Sequence, residues 1–178
     1  MKGKFVLIIV MVLLADLMVL SLVSCKKQNY QKKAVGTEPG LTAPATLPRE
    51  TITLSGEEFT VELAFTRRDR LRGLMYRREL AEHAGMLFVF EKSLPRSFHM
   101  QNCLIDLDIL FIEADGAIAR ITTMQVPPPD EPSKNYYCSI PCKYALELPA
   151  GAAQKLKLAP GMKIDFPPRV KTIIPDPE

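Results

Sequence analysis

The chain of 178 residues has no tryptophan, only two histidines and four cysteines, and its formal net charge at pH 7 is only +3. With so few histidines and no Gly-x-Ser-x-Gly motif, it carries no signature of a nucleophilic hydrolase. Its basic residues are scattered and its net charge is small, which argues against a nucleic-acid partner. It also lacks the Cys-x2-Cys motif of thioredoxin-like redox proteins. These absences exclude several enzyme and nucleic-acid-binding classes, and nothing in the sequence calls for a cofactor.

What is present is an ordinary globular composition, with 47% hydrophobic and 24% charged residues. Such values exclude a collagen-like, disordered or coiled-coil chain. At this length we expect a single domain with a substantial core.

The N-terminus has the parts of an export signal. Residues 1–4 carry two lysines, and residues 5–20 are apolar except for Asp16. An uncleaved transmembrane helix is the alternative, but the run falls short of the roughly 20 residues that span a bilayer. Asp16 would also cost about 2.5–3.5 kcal/mol at the membrane centre.

The segment Leu22-Val23-Ser24-Cys25 that follows resembles the bacterial lipoprotein signal. This resemblance implies cleavage after residue 24 and acylation of Cys25, with more than one acyl chain needed for stable anchoring. We therefore expect residues 1–24 to be a signal peptide. The mature protein is then expected to be exported and anchored by its lipid to the periplasmic or cell-surface side of a bacterial membrane.

Three segments follow the signal. Residues 25–49 are the lipidated cysteine and a polar, Pro- and Gly-containing tether, which has too few apolar residues to order itself. Residues 50–167 contain the apolar patterns of a folded domain. Residues 168–178 are expected to trail as a tail.

Local patterns predict the elements of that domain. Alternation over residues 59–65 indicates a strand with one buried face. Thr66, with Asp69 three residues later, predicts the start of a short helix, which Gly73 ends. Met86–Phe90 is expected to be a buried strand, and Asp115-Gly116 predicts a hairpin turn between two strands.

The C-terminal half is expected to contain a loop over residues 127–143, a strand over 144–148, a helical turn within 151–158 and a last strand over 162–166. The predicted fold class is mainly β with one or two short helices (α+β), as a compact, barrel-like single domain.

Five blocks occur in order along this domain: Gly73-Leu74-Met75-Tyr76-Arg77, Gly85-Met86-Leu87-Phe88, Phe98-x-Met100-x-Asn102, Leu107-Asp108-x-x-Phe111, and Leu146-Glu147-Leu148-Pro149-x-Gly151. Together they resemble the family named domain of unknown function 192 (DUF192), over about residues 61–166. The resemblance implies a compact, strand-rich fold with one short helix near its start, often behind an export signal. It implies no established activity, substrate or cofactor.

The chain departs from the family pattern at several positions. His99 stands where relatives usually have tryptophan, Gln101 and Cys103 flank Asn102 in place of lysine and threonine, and Asp106 replaces a proline. If the tryptophan of relatives forms a stacking surface for a ligand, that role is in doubt here.

The candidate binding or structural site residues are Arg77, His99, Asn102, Asp106, Asp108 and Glu147. Asp108 lies within an apolar run, where a buried charge needs a partner. Arg77 in the preceding glycine-bounded loop is a candidate bidentate partner. Such a pair is either a buried latch or part of a binding site. Asp106 and Asp108, two residues apart on a predicted strand, would share a face and could serve as acid and base or hold a divalent ion.

The cysteines and methionines allow two interpretations each. Cys138 and Cys142 are expected to form a local disulfide in an exported protein. The alternative to this disulfide is a zinc-type site in which Cys138 and Cys142 join His99 and Cys103 as ligands. Met75, Met86 and Met100 fit core packing better than a soft-metal site.

The sequence thus favours a lipid-anchored extracytoplasmic module that binds a ligand or an envelope protein, with the membrane as partner through its lipid. The alternatives are a metal-assisted or carboxylate-based enzyme and an accessory of envelope assembly.

Overall fold

The computed structural model describes residues 46–177. The signal segment, Cys25 and most of the tether lie outside these residues. The strands are β1 (Arg49–Leu54), β2 (Glu57–Ala64), β3 (Ala84–His99), β4 (Leu107–Ile112), β5 (Ile118–Met124) and β6 (Asn135–Pro149). The helices are α1 (Arg67–Arg72), α2 (Ala152–Lys155) and α3 (Pro168–Lys171). None of these helices has the length and apolar character needed to cross a membrane.

All six strands belong to one sheet in the order β1-β2-β3-β6-β4-β5. β2 and β3 pair in parallel through the crossover that contains α1, while the other neighbours are antiparallel. The predicted mainly β, α+β class is therefore confirmed. The sheet does not close into a barrel, because β1 and β5 remain at opposite edges of the strand order.

The sheet is buried on both faces at its centre. Leu87 and Val89 pack into one core cluster with residues of α2 and α3, whereas Met86 and Phe88 pack into a second cluster. Alternate residues of a strand point to opposite faces, so the two clusters lie on opposite sides of the sheet. This explains why the predicted buried strand, Met86–Phe90, is apolar at every position.

β3 and β6 fold back over the second face. Ten residues of flat strand span about 33 Å, yet the rings of Phe88 and Phe98 lie 5.0 Å apart in an edge-to-face contact. The β3–β6 ladder has register shifts between Val89 and Leu94 and between Leu94 and Arg96. Such bulges bend a strand sharply, so the far end of β3 returns over its own beginning.

Two predicted local signals are confirmed. The Thr66 hydroxyl accepts a hydrogen bond from the Asp69 amide at 3.1 Å and caps α1, and Gly73 ends the helix with a φ of 49°. The turn at Gly116, with a φ of 88°, joins β4 to β5. Gly85 is not among the glycines with a positive φ, and its role is steric. A Cβ there would lie 2.7 Å from the Glu147 carbonyl oxygen, so the glycine permits a close approach of strands.

Three expectations are wrong in the second half. The predicted loop over residues 127–143 ends early, because β6 begins at Asn135. The predicted last strand over residues 162–166 is reduced to a single bridge between Ala117 and Lys163. The tail does not trail: its Val170 side chain is 1% exposed and packs in the first core cluster.

The packed tail predicts a measurable contribution to stability. Val170→Ala should lower the free energy of unfolding by about 1–3 kcal/mol, since it removes buried methyl groups and leaves a cavity. Ile174, four residues later, is 91% exposed, so Ile174→Ala is the matched control and should change stability by less than about 0.5 kcal/mol. Equal effects of the two variants in denaturant unfolding would contradict the docked tail.

Candidate functional site

A cavity of about 400 Å³ opens between α1 and the folded-back end of β3. Its lining residues come from α1 and the loop after it, from both halves of β3, from the following turn and from β6: Arg67, Arg70, Leu71, Arg72, Gly73, Leu74, Met75, Phe88, Phe90, Pro95, Arg96, Ser97, Phe98, His99, Cys103 and Glu147. This volume lies within the range of small-molecule sites.

Glu147 is the acidic residue of this pocket and is only 5% exposed. It sits on β6 between Met86 of β3 and Ile109 of β4, so its neighbours on the ladder are apolar. Its Oε2 atom is buried and has no hydrogen-bond partner. Burial raises the pKa of this carboxyl to about 8. A carboxyl with such a pKa is mostly protonated at neutral pH and can donate a hydrogen bond.

The walls beside Glu147 are aromatic. Phe98 makes edge-to-face contacts with Phe88 at 5.0 Å, Phe111 at 5.8 Å and Phe90 at 6.4 Å between ring centroids. Phe88, Phe90 and Phe98 all line the cavity. These rings make the inner wall of the pocket apolar.

Four arginines line the same cavity, three of them from α1 and one from β3. The Arg70 Nη2 atom donates to the Asp176 carbonyl at 2.9 Å, and its guanidinium lies 5.6 Å from the Phe90 ring. The Arg96 guanidinium stacks 3.7 Å from the same ring, and its Nε donates to the Cys142 carbonyl at 3.3 Å. The remaining two are Arg67 and Arg72. The pocket thus combines an apolar wall with strongly positive groups.

Strained backbone adjoins the cavity. Tyr76 and Asn102 have φ values of 64° and 58°, in the left-handed region, and the Tyr76 amide donates to the Asn102 carbonyl at 2.8 Å. This bond ties the loop after α1 to the turn after β3, and Met75 and Cys103 from these two segments line the pocket. Strain of this kind is often found at functional sites.

The structure unites only some of the predicted site residues. His99 and Glu147 line the pocket, and Asn102 lies in the adjoining turn. The expected Arg77–Asp108 pair is wrong. Arg77 instead binds Glu62 in a bidentate ion pair, with Nη1 to Oε1 at 3.1 Å and Nη2 to Oε2.

Asp108 lies on the opposite face of the sheet and has a structural role there. It is 2% exposed and accepts hydrogen bonds from the Thr123 hydroxyl at 2.7 Å and the Ala153 amide at 3.0 Å. It therefore secures α2 to β4. Asp106 is exposed outside the strand and accepts from the Val126 amide at 2.7 Å. Each carboxylate serves backbone structure, so the two do not form the acid–base pair that the sequence suggested.

The three cysteines of the described residues are Cys103, Cys138 and Cys142, and each carries a free thiol in the structure. The thiols of Cys138 and Cys142 are neighbours, and the expected disulfide between them stays a prediction. Burial, followed by the neighbouring Cys138 thiol, raises the pKa of Cys142 to about 12. Burial and the nearby Glu147 carboxyl raise the pKa of Cys103 to about 11, which makes it a poor nucleophile at neutral pH.

The four-residue zinc site proposed from the sequence is not assembled. Within residues 46–177, no group of three or more His, Cys, Asp or Glu side chains could hold a metal ion. Met86 and Met100 are fully buried in the second core cluster, as core packing predicts, and Met75 forms part of the pocket wall.

Sequence reasoning missed the arginines and the aromatic wall. The signal for the first was the run Arg67-Arg68-Asp69-Arg70-Leu71-Arg72, which places several guanidinium groups on one short helix. The aromatic wall had no such signal, because Phe98 reaches Phe88 only through the bend in β3.

Comparison with known proteins agrees with this architecture. Residues 50–166 match the model of the family DUF192, described as an uncharacterized ACR. A crystal structure of a "putative transcription regulator" from Sinorhizobium meliloti 1021 is 36% identical, with a TM-score of 0.61, over 69% of this chain and 97% of that one.

A protein of unknown function from Novosphingobium aromaticivorans DSM 12444 is 30% identical, with a TM-score of 0.58, over 71% of this chain and 94% of that one. Comparison with curated proteins gives no match.

The buried Glu147 predicts a pH-dependent stability. The folded protein keeps the proton of Glu147 up to about pH 8, whereas the ordinary value is 4.5. Between these values the folded state binds more protons than the unfolded state, so stability falls as pH rises. At about 1.4 kcal/mol per pKa unit, the loss from pH 5 to 8 should be on the order of 3–4 kcal/mol.

Glu147→Gln should remove most of this loss when unfolding by denaturant is measured across that pH range. Glu58→Gln, at an exposed position on β2, is the control and should keep the wild-type slope. An unchanged slope in Glu147→Gln would contradict the raised pKa.

Proposed function

The chain belongs to the DUF192 family, and we propose that this member is a lipid-anchored extracytoplasmic module that binds a small ligand in the pocket around Glu147. The observation that carries this proposal is the carboxyl group of Glu147, a residue that lines the cavity and whose buried Oε2 atom has no hydrogen-bond partner. An unsatisfied buried polar group costs about 1–3 kcal/mol. A ligand that forms a hydrogen bond with this carboxyl would recover this free energy, so the unmet hydrogen bond favours ligand binding at this site.

The position of the family blocks supports the same proposal. Four of the five blocks contribute a wall residue: Leu74, Phe88, Phe98 and Glu147. These blocks are distant along the chain and meet at this cavity. A shared packing requirement would account for buried residues, but not for an unpartnered carboxyl at an open pocket.

Two departures from the family pattern also fall in this pocket. His99 and Cys103, which stand where relatives usually have tryptophan and threonine, both line it. We therefore propose that this chain binds a ligand different from that of tryptophan-containing relatives.

A carboxylate-based enzyme is the second candidate, favoured by the pKa of about 8 for Glu147. A general acid works best when its pKa lies near the working pH. In this case the pocket would convert its ligand, with Glu147 in the role that the sequence suggested for Asp106 and Asp108.

The first prediction of this proposal concerns occupancy of the pocket. Native mass spectrometry of the full chain purified from membranes should show a bound small molecule, which Cys103→Trp should abolish by filling the cavity, since the Cys103 side chain is half-buried beside Glu147. Ser139→Trp, at an exposed position on β6 outside the pocket, should retain it. Two outcomes would contradict binding at this site: a molecule that both variants retain, or the absence of any bound molecule from the wild type. Recovery of a converted ligand after incubation would favour the enzyme.

The second prediction concerns the anchor. Cys25→Ser should abolish incorporation of a labelled fatty acid and release the protein from membranes, because the acyl chains supply the membrane affinity. Cys103→Ser removes another cysteine of the chain and should leave both readouts unchanged. Full labelling of Cys25→Ser would refute the lipid anchor.

A further inference from the structure

We infer that the ligand of the Glu147 pocket is a small organic acid with an apolar body, whose anionic group binds Arg67 at the mouth of the pocket. This inference rests on the proposed function and adds the chemical class of the ligand.

The charge of the lining residues selects an anion. Four arginines and one acidic residue line the cavity, and no lysine does. A guanidinium remains protonated at every physiological pH, and its planar fork matches the two oxygens of a carboxylate. Arg67 is exposed at the start of α1, where a group entering from solvent can reach it. A cationic ligand would meet repulsion from the same groups.

The walls select an apolar body. Phe88, Phe90 and Phe98 line the interior and meet edge to face, so they present ring surfaces of different orientation around one space. Leu74 and Met75 complete this apolar part. An aromatic ring placed here would be removed from water on most of its surface, which favours binding by roughly 25 cal/mol per Å² of apolar area.

The state of Glu147 is compatible with an anion and unfavourable for a cation. Burial among Met86, Ile109 and other apolar groups disfavours the charged carboxylate. A neutral carboxyl does not repel an organic acid, and its proton can be donated to an oxygen of the ligand. A cationic ligand would need the ionised form as its counter-charge, which this environment opposes.

The test compares two probes of the same shape and opposite charge, 2-naphthoate and 2-naphthylmethylamine. The full chain in neutral-lipid nanodiscs is titrated with each probe by calorimetry, with empty nanodiscs as the blank. We expect 2-naphthoate to bind at least tenfold more tightly than the amine, and Cys103→Trp to abolish its binding.

Two arginine variants locate the anionic group. Arg67→Gln removes a pocket arginine, whereas Arg68→Gln makes the same change on the adjacent residue of α1, which does not line the cavity. We expect Arg67→Gln to weaken 2-naphthoate binding by roughly tenfold, which corresponds to about 1.4 kcal/mol, and Arg68→Gln to weaken it less than twofold. Equal losses in the two variants would overturn the assignment.

The outcomes distinguish a failure of this inference from a failure of the proposed function. If the amine binds as tightly as 2-naphthoate or more tightly, and Cys103→Trp abolishes that binding, the pocket is a binding site but the ligand is not an acid. If neither probe binds and the membrane-purified chain carries no small molecule, both the inference and the proposed function are wrong.

Discussion

The bend in the β3–β6 ladder shapes the site, and Arg96 stabilises that bend. Where the register shifts, backbone carbonyls lose their partners in the ladder, and buried carbonyls need replacements. Arg96 supplies them: its Nε donates to the Cys142 carbonyl and its Nη2 to the Lys92 carbonyl. The guanidinium also stacks on Phe90 at 3.7 Å. The Arg96 side chain thus provides hydrogen bonds to carbonyl groups of both strands at the bulge. Its stacking on Phe90 also connects the bend to the aromatic wall of the pocket.

The same bend explains why Glu147 can be buried. β6 carries Glu147 in the middle of the sheet, between β3 and β4, where both faces are covered. Gly85 of β3 lets the strands approach, since a Cβ there would lie 2.7 Å from the Glu147 carbonyl. The Glu147 carboxyl lines the pocket that the folded-back end of β3 covers. Burial there disfavours the charged form and raises the pKa of this carboxyl.

The predictable parts of the fold are those with a local physical cause. Thr66, Asp69 and Gly73 define α1 by capping, and Asp115-Gly116 defines a hairpin by its turn angles. The unpredictable parts depend on contacts between distant residues. β6 begins at Asn135 because β3 is long enough to pair with it, and Val170 is buried because the first face of the sheet needs a cover. The partner of Arg77 is Glu62, which no spacing in the sequence indicates.

The residues of the candidate site likewise divide into those that the sequence could identify and those whose role depends on contacts between distant residues. The family blocks and the residue types together identified Glu147 and His99, but they gave equal weight to Asp108, whose two hydrogen bonds commit it to structure. Asp108 and Glu147 are similarly buried and lie on neighbouring strands. They differ in whether their carboxyl oxygens have hydrogen-bond partners. Asp108 bonds a hydroxyl and a backbone amide, while Glu147 keeps an oxygen without a partner beside an open cavity. A buried acid whose bonds are complete within the protein has no capacity left for a ligand, and a buried acid with an unmet bond at a pocket does. This difference arises only in three dimensions, because it depends on which backbone amides the fold brings within 3 Å of each carboxyl.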